Sequence, residues 1–143
     1  MDIRQITPRY AVSPQISVED IPALIEAGFT CLLCNRPDVE IPPSHQAAAM
    51  QTAAEAAGLN FVINPLTHDT MTPERLAIQR NTLENSPGKV LAYCASGTRS
   101  TVAWILGHAT DVSADDLLQA AANGGYQLEA LRPQINYLAS QAE

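Results

Sequence analysis

Val90 to Leu106 reads VLAYCASGTRSTVAWIL. An apolar stretch runs into Cys94, four small or polar residues follow, and Arg99 and Ser100 open a helix-like segment. Such a turn between strand and helix lets consecutive backbone N–H groups point inward as an anion nest. The helix behind it adds the positive end of its dipole. Gly97 gives the turn its conformational freedom. The backbone of Ala95, Ser96, Gly97 and Thr98 is the expected cradle. Arg99 offers a planar fork to two oxygens of a tetrahedral anion. A cysteine held there is expected to act as a nucleophilic thiolate. Ser100 is placed to donate a hydrogen bond to that thiolate or to a leaving sulfur. A lone cysteine at a strand end is more often an inert core residue. The joined pattern of strand, cysteine, glycine turn, Arg-Ser and helix is far more specific.

The elements that must position this loop follow from alternating short apolar runs and longer helical patterns. IRQI and YAVS read as short strands around Thr7-Pro8-Arg9. Ser17 with Asp20 three residues on has the form of a helix cap, for a helix VEDIPALIEA ending at Gly28. FTCLLC, LNFVIN and KVLAY read as buried strands. Ser44 is the expected cap of HQAAAMQTAAEAA, and Thr72 with Pro73 opens PERLAIQRNTLE. Helices over about 99–109 and 113–122 and a last one near Pro133 complete the chain. Strand alternating with helix predicts an α/β domain with a central, mostly parallel sheet flanked by helices. Right-handed crossovers then gather the loops NRPDVE, PLTHDTM and CASGTRS on one sheet edge, at the carboxyl ends of the strands. Cys31 and Cys34 sit three apart in a strand, which turns them to opposite faces and away from a metal or redox pair.

The bulk properties exclude several classes. A length of 143 residues is that of one domain, 1–143. A net charge of −7 with a single lysine argues against nucleic-acid and anionic-membrane partners. No apolar run approaches the ~20 residues that span a bilayer. The N-terminus MDIRQITPRY has no signal-peptide pattern. Three cysteines make no disulfide framework, so a reduced, cytoplasmic protein is expected. No metal constellation is visible.

The loop is similar to two known families. Cysteine-dependent phosphatases, the dual-specificity type among them, carry His-Cys-x5-Arg-Ser/Thr, and rhodanese sulfurtransferases often carry Cys-x4-Arg. Here the spacing is x4, and Tyr93 precedes the cysteine. The wider chain settles the comparison differently. NRPDVE, the Ala-rich helix, FVINPL and AYCASGTRS together resemble the phosphatase-like domain at the front of bacterial beta-lactamase hydrolase-like proteins, over roughly residues 1–127. That family shares the short x4 loop. The resemblance implies a dual-specificity phosphatase-like fold and cofactor-free hydrolysis of a phosphate monoester.

Residue by residue, it implies Cys94 as nucleophile, Arg99 as oxyanion binder, Ala95 to Thr98 as cradle and Ser100 as the hydroxyl that settles the thiolate. The general acid falls in Pro65-Leu66-Thr67-His68-Asp69-Thr70. Asp69 is the first candidate, with His68 and Asp38 as rivals. Arg36 is expected at the wall of the site, either touching substrate or paired with Asp38. The expected ligand is a small phosphorylated molecule or a phosphoprotein, with phosphate or sulfate as the anion in the 94–100 loop. Two other functions remain open: sulfur transfer through a Cys94 persulfide, and a pseudoenzyme that binds a phospho-ligand without turnover.

Overall fold

A computed structural model of the chain describes residues 1–141. Its five strands are β1 (Arg4–Thr7), β2 (Tyr10–Ser13), β3 (Phe29–Cys34), β4 (Asn60–Ile63) and β5 (Lys89–Tyr93). They form one sheet in the order β1-β2-β5-β3-β4, parallel throughout except for the antiparallel β1–β2 hairpin. Its helices are α1 (Ile21–Glu26), α2 (Ala47–Ala56), α3 (Pro73–Asn85), α4 (Thr98–Gly107), α5 (Ala114–Asn123) and α6 (Arg132–Gln141). None is long and apolar enough to cross a membrane. This is the mixed α/β architecture read from the sequence.

Successive strand residues point to opposite faces, and the sheet uses both. Ala11, Leu32, Cys34, Leu91 and Tyr93 pack under α1 and α2. Tyr10, Val12, Cys31, Leu33, Val90 and Ala92 pack under helices that include α4 and α5. Cys31 and Cys34 therefore lie in different core layers, as their spacing requires.

Two local expectations are corrected. The helix VEDIPALIEA is a 3-10 turn, Val18–Asp20, followed by α1. Pro22 explains the break: a continuous α-helix would drive its ring into the carbonyl of Val18. Asp20 still accepts the Ser17 N–H at 2.9 Å. Ser44 does not cap α2. Pro43–His45 form a separate 3-10 turn, Ser44 Oγ meets His45 Nδ1 at 2.8 Å, and the Ala47 N–H donates to Asp38 Oδ1 at 2.8 Å.

Candidate active site at the carboxyl edge of the sheet

β5 is buried between β2 and β3, so the chain leaves it from the centre of the sheet. Cys94 is the first residue past the strand and is fully buried. The loop turns back at Gly97, whose φ of 90° lies in the left-handed region that favours glycine. Gly97 N–H donates to Cys94 Sγ at 3.1 Å. Tyr126 braces the outside of the turn, donating to Ser96 O at 2.9 Å. The amides of Ala95, Ser96 and Arg99 find no acceptor among the described residues. Unpaired amides at a helix N-terminus are what an anion uses.

The three loops meet here. Arg99 Nη1 donates to Leu66 O at 2.8 Å. Its two terminal nitrogens also grip Glu40, to Oε2 and Oε1, each at 2.8 Å. Among the described residues no oxygen accepts from Nε of Arg99, and the guanidinium also lies beside the Cys94 side chain. Glu40 takes the terminal edge of the guanidinium and leaves another edge for a ligand. A cleft of about 330 Å³ opens over this arrangement, lined by Glu40, Thr67, His68 and the loop residues Ala95, Ser96, Thr98 and Arg99. Cys94 lies behind that lining.

The other expected residues fall as follows. His68 and Asp69 form the exposed tip of a turn held by Thr67 and Thr70, whose hydroxyls are 3.0 Å apart. His68 lines the cleft, whereas Asp69 lines a groove beside it. Asp38 caps α2. Arg36 does not pair with Asp38: its Nε reaches Glu40 Oε1 at 3.2 Å and its Nη1 reaches Gln15 Oε1 at 3.4 Å. The Asp38 carboxylate already holds the Ala47 amide, and Glu40 is the acid within reach four residues from Arg36.

Ser100 donates to Asn35 Oδ1 at 2.8 Å and not to the sulfur. Asn35 Nδ2 donates to Gln79 Oε1 at 3.1 Å, Gln79 Nε2 donates to Tyr10 Oη at 2.7 Å, and Tyr10 Oη donates back to Ser100 O at 2.8 Å. All four residues are fully buried. The ring ties the first turn of α4 to β2, β3 and α3. A closed, fully satisfied polar ring in a core is rigid, because each broken link leaves a buried polar group unpaired.

Residues 2–111 match the family described as the phosphatase-like domain of beta-lactamase hydrolase-like protein. The chain belongs to this family. A beta-lactamase hydrolase-like protein of Agrobacterium fabrum is 30% identical over 107 residues, 75% of this chain and 25% of that protein. One from Xylella fastidiosa is 29% identical over 111 residues, covering 78% and 26%. The chain thus spans about a quarter of the length of these curated relatives. Among solved structures, a candidate phosphatase from Neisseria meningitidis superposes with a TM-score of 0.83 at 26% identity, over 96% of this chain and 99% of the other. A human tyrosine phosphatase-like serine/threonine/tyrosine-interacting protein gives 0.71 at 16% identity, over 98% and 97%, a likeness of fold. A dual-specificity phosphatase-like fold is thereby established for this phosphatase-like domain.

Sequence reasoning missed Glu40, Gln79, Tyr10 and Tyr126. It also missed Asn35, although Asn35 and Asn64 each follow an apolar strand directly, where a polar residue is conspicuous. Glu40 has a testable electrostatic consequence. Arg99 above all, and then Arg36, hold its carboxyl below the usual range against the opposing effect of burial. A carboxyl lowered on folding contributes stability that is present above its unfolded pKa and lost as pH falls through the folded one. Glu40→Gln is therefore expected to lower the melting temperature at neutral pH, with the deficit shrinking as the parent is acidified. A deficit independent of pH, in paired thermal scans, would remove the charge from the account.

Proposed function

We propose that this domain hydrolyses a phosphate monoester through a covalent phosphocysteine at Cys94. One observation carries the reading: the free amides of Ala95, Ser96 and Arg99 cluster in the loop that also holds the sulfur and the Arg99 guanidinium. Thr98 and Gly97 shape that loop, and Ser100 fixes its far end through the buried ring. Donors fixed before the reaction stabilise charge that develops on the equatorial oxygens.

Cys94 is covered, so substrate entry must open the mouth of the loop before sulfur can meet phosphorus. The thiolate then attacks in line. The S–P bond forms as the P–O bond to the leaving group breaks, and a proton from the 65–70 loop goes to the departing oxygen. Water next attacks phosphorus and gives a proton back to the 65–70 loop as the S–P bond breaks, which releases inorganic phosphate and restores both the thiolate and the acid. Every step uses groups of the chain itself. Arg36 acts at one remove, holding Glu40, which in turn holds Arg99.

The four-residue loop length is the one feature that favours the rival reading, sulfur transfer through a Cys94 persulfide. Nitrophenyl phosphate and, separately, thiosulfate with cyanide discriminate the two. Phosphate release is expected to exceed thiocyanate formation at equal enzyme concentration. The reverse order would replace the phosphatase with a sulfurtransferase.

A further inference from the structure

Tyr126 is 30 residues from Ser96, the loop residue it touches, and lies outside the residues 2–111 that carry the family match. The end of α5 brings it there. The turn after that helix passes through a left-handed glycine, Gly125, with a φ of 98°. The Tyr126 N–H donates to Ala121 O and the Gly125 N–H to Ala122 O, each at 2.9 Å, the paired hydrogen bonds of a Schellman cap. Arg4 of β1 donates to Gly124 O at 3.2 Å and ties that end of α5 to the sheet. The half-buried phenol then lies so close to Gly97 that a methyl group there would collide with its oxygen. A side chain at Gly97 is excluded twice, by its φ of 90° and by Tyr126.

The contact acts on one rigid unit, the Ser96–Gly97 peptide. Its carbonyl accepts from Tyr126 Oη at 2.9 Å, and its N–H donates to Cys94 Sγ at 3.1 Å. A trans peptide is planar and points those two groups in opposite directions, so holding one aims the other. Glycine takes either sign of φ, so Gly97 alone does not stop this peptide from turning over. A turned peptide would set carbonyl lone pairs against the sulfur in place of the N–H. Among the described residues no other donor holds Ser96 O. We propose that Tyr126 is a positioning residue: it fixes the Ser96–Gly97 peptide with the N–H on the Cys94 sulfur, and thereby sets how readily that sulfur reacts. This rests on the reading of Cys94 as the reacting atom, and it holds for phosphoryl and sulfur transfer alike.

The ionisable groups around the sulfur are Arg99 of α4, Tyr10 of β2, Cys34 of β3 and Tyr126 itself. Burial holds the last three above their ordinary ranges, so they are neutral near pH 7. Tyr126→Phe therefore removes a hydroxyl and no charge. The test is the pH profile of Cys94 alkylation by iodoacetamide, followed on the tryptic peptide 90–99, which holds no other cysteine. The plateau rate reports access to the sulfur, and the midpoint reports stabilisation of its charged form. Tyr126→Phe is expected to move the midpoint about one pH unit upward, a reaction about tenfold slower below both midpoints, with little change in the plateau. Tyr137→Phe, at a tyrosine 62% exposed, is expected to follow the parent. An unmoved midpoint in Tyr126→Phe overturns the proposal. So does a change in the plateau alone, which marks Tyr126 as a cover over the sulfur. Binding of inorganic phosphate, by calorimetry, is expected to change little, and its loss together with alkylation marks collapse of the loop and also overturns the proposal. Thermal unfolding confirms that the variant is folded; Tyr126→Leu, which also lacks the hydroxyl, decides if Tyr126→Phe is not. Nitrophenyl phosphate is assayed in parallel with the parent. A displaced midpoint with no hydrolysis by the parent leaves the positioning role standing and refutes the phosphatase; hydrolysis with an unmoved midpoint does the opposite.

Discussion

Cys94→Ser is expected to lower kcat for every phosphate monoester by about 10⁴-fold or more, the scale seen when a covalent nucleophile is removed from a preorganised site. The serine keeps nearly the shape of cysteine in a fully buried position, so the loop should retain its form. What changes is the attacking atom. A hydroxyl stays protonated near neutral pH unless a base accepts its proton, and the contact found at Cys94 Sγ is a donor, the Gly97 N–H. That contact offers no base to take the proton of an alcohol. The variant should still bind inorganic phosphate, since the amides and Arg99 are untouched. Acid quenching of the parent during turnover of labelled substrate should trap one phosphorylated cysteine, absent from Cys94→Ser. Thiocyanate formation should be lost with it. Turnover persisting at the parental rate would discard a cysteine mechanism in either form.

The loop itself was legible because all its parts lie within a short stretch of chain. Strand, thiol, glycine, guanidinium and helix are each local, and the expected chemistry was read from their order. The convergence of three loops was legible too, since alternating strands and helices leave little freedom in where crossovers end. What stayed hidden depends on pairing across long sequence separation. Glu40 grips Arg99 over 59 residues, and Gln79 reaches Tyr10 over 69. Nothing in the spelling of NRPDVE selects Glu40 over Asp38 for that contact. The choice is made in space, once the 3-10 turn Asp38–Glu40 aims one carboxylate at α2 and the other at the guanidinium. Gln79 was harder still, since it is the one fully buried residue of a largely polar helix. The hydrogen bond that Ser100 makes was hidden for the same reason: its short reach to Cys94 was visible in the sequence, and its buried partner Asn35 was not.

The identity of the proton donor is the remaining large effect. A good leaving group such as nitrophenolate departs without help, whereas an alkoxide must be protonated as it leaves. General acid catalysis typically contributes about 10²–10⁴-fold. Removing the acid is therefore expected to cost little with nitrophenyl phosphate and about that factor with an alkyl phosphate. Two neighbouring residues compete for the role. Asp69 is the candidate implied by resemblance, yet it lines the adjoining groove, while His68 lines the cleft and the groove together. Asp69→Asn keeps shape and removes the proton, so it is expected to show the selective loss and to flatten the alkaline limb of the pH–rate profile for the alkyl substrate. His68→Ala and Asp38→Asn are the comparisons. Asp38 holds the α2 amide through Oδ1, so its replacement is expected to lower the melting temperature without leaving-group selectivity. An equal loss on both substrates would remove Asp69 from the role, and a selective loss in His68→Ala would move the proton one residue along. If neither tip residue shows selectivity, the loop carries no acid. The site then turns over activated phosphates alone, or binds a phospho-ligand without turnover. Rapid-quench measurement of the first turnover distinguishes those last two, because only the former accumulates phosphocysteine.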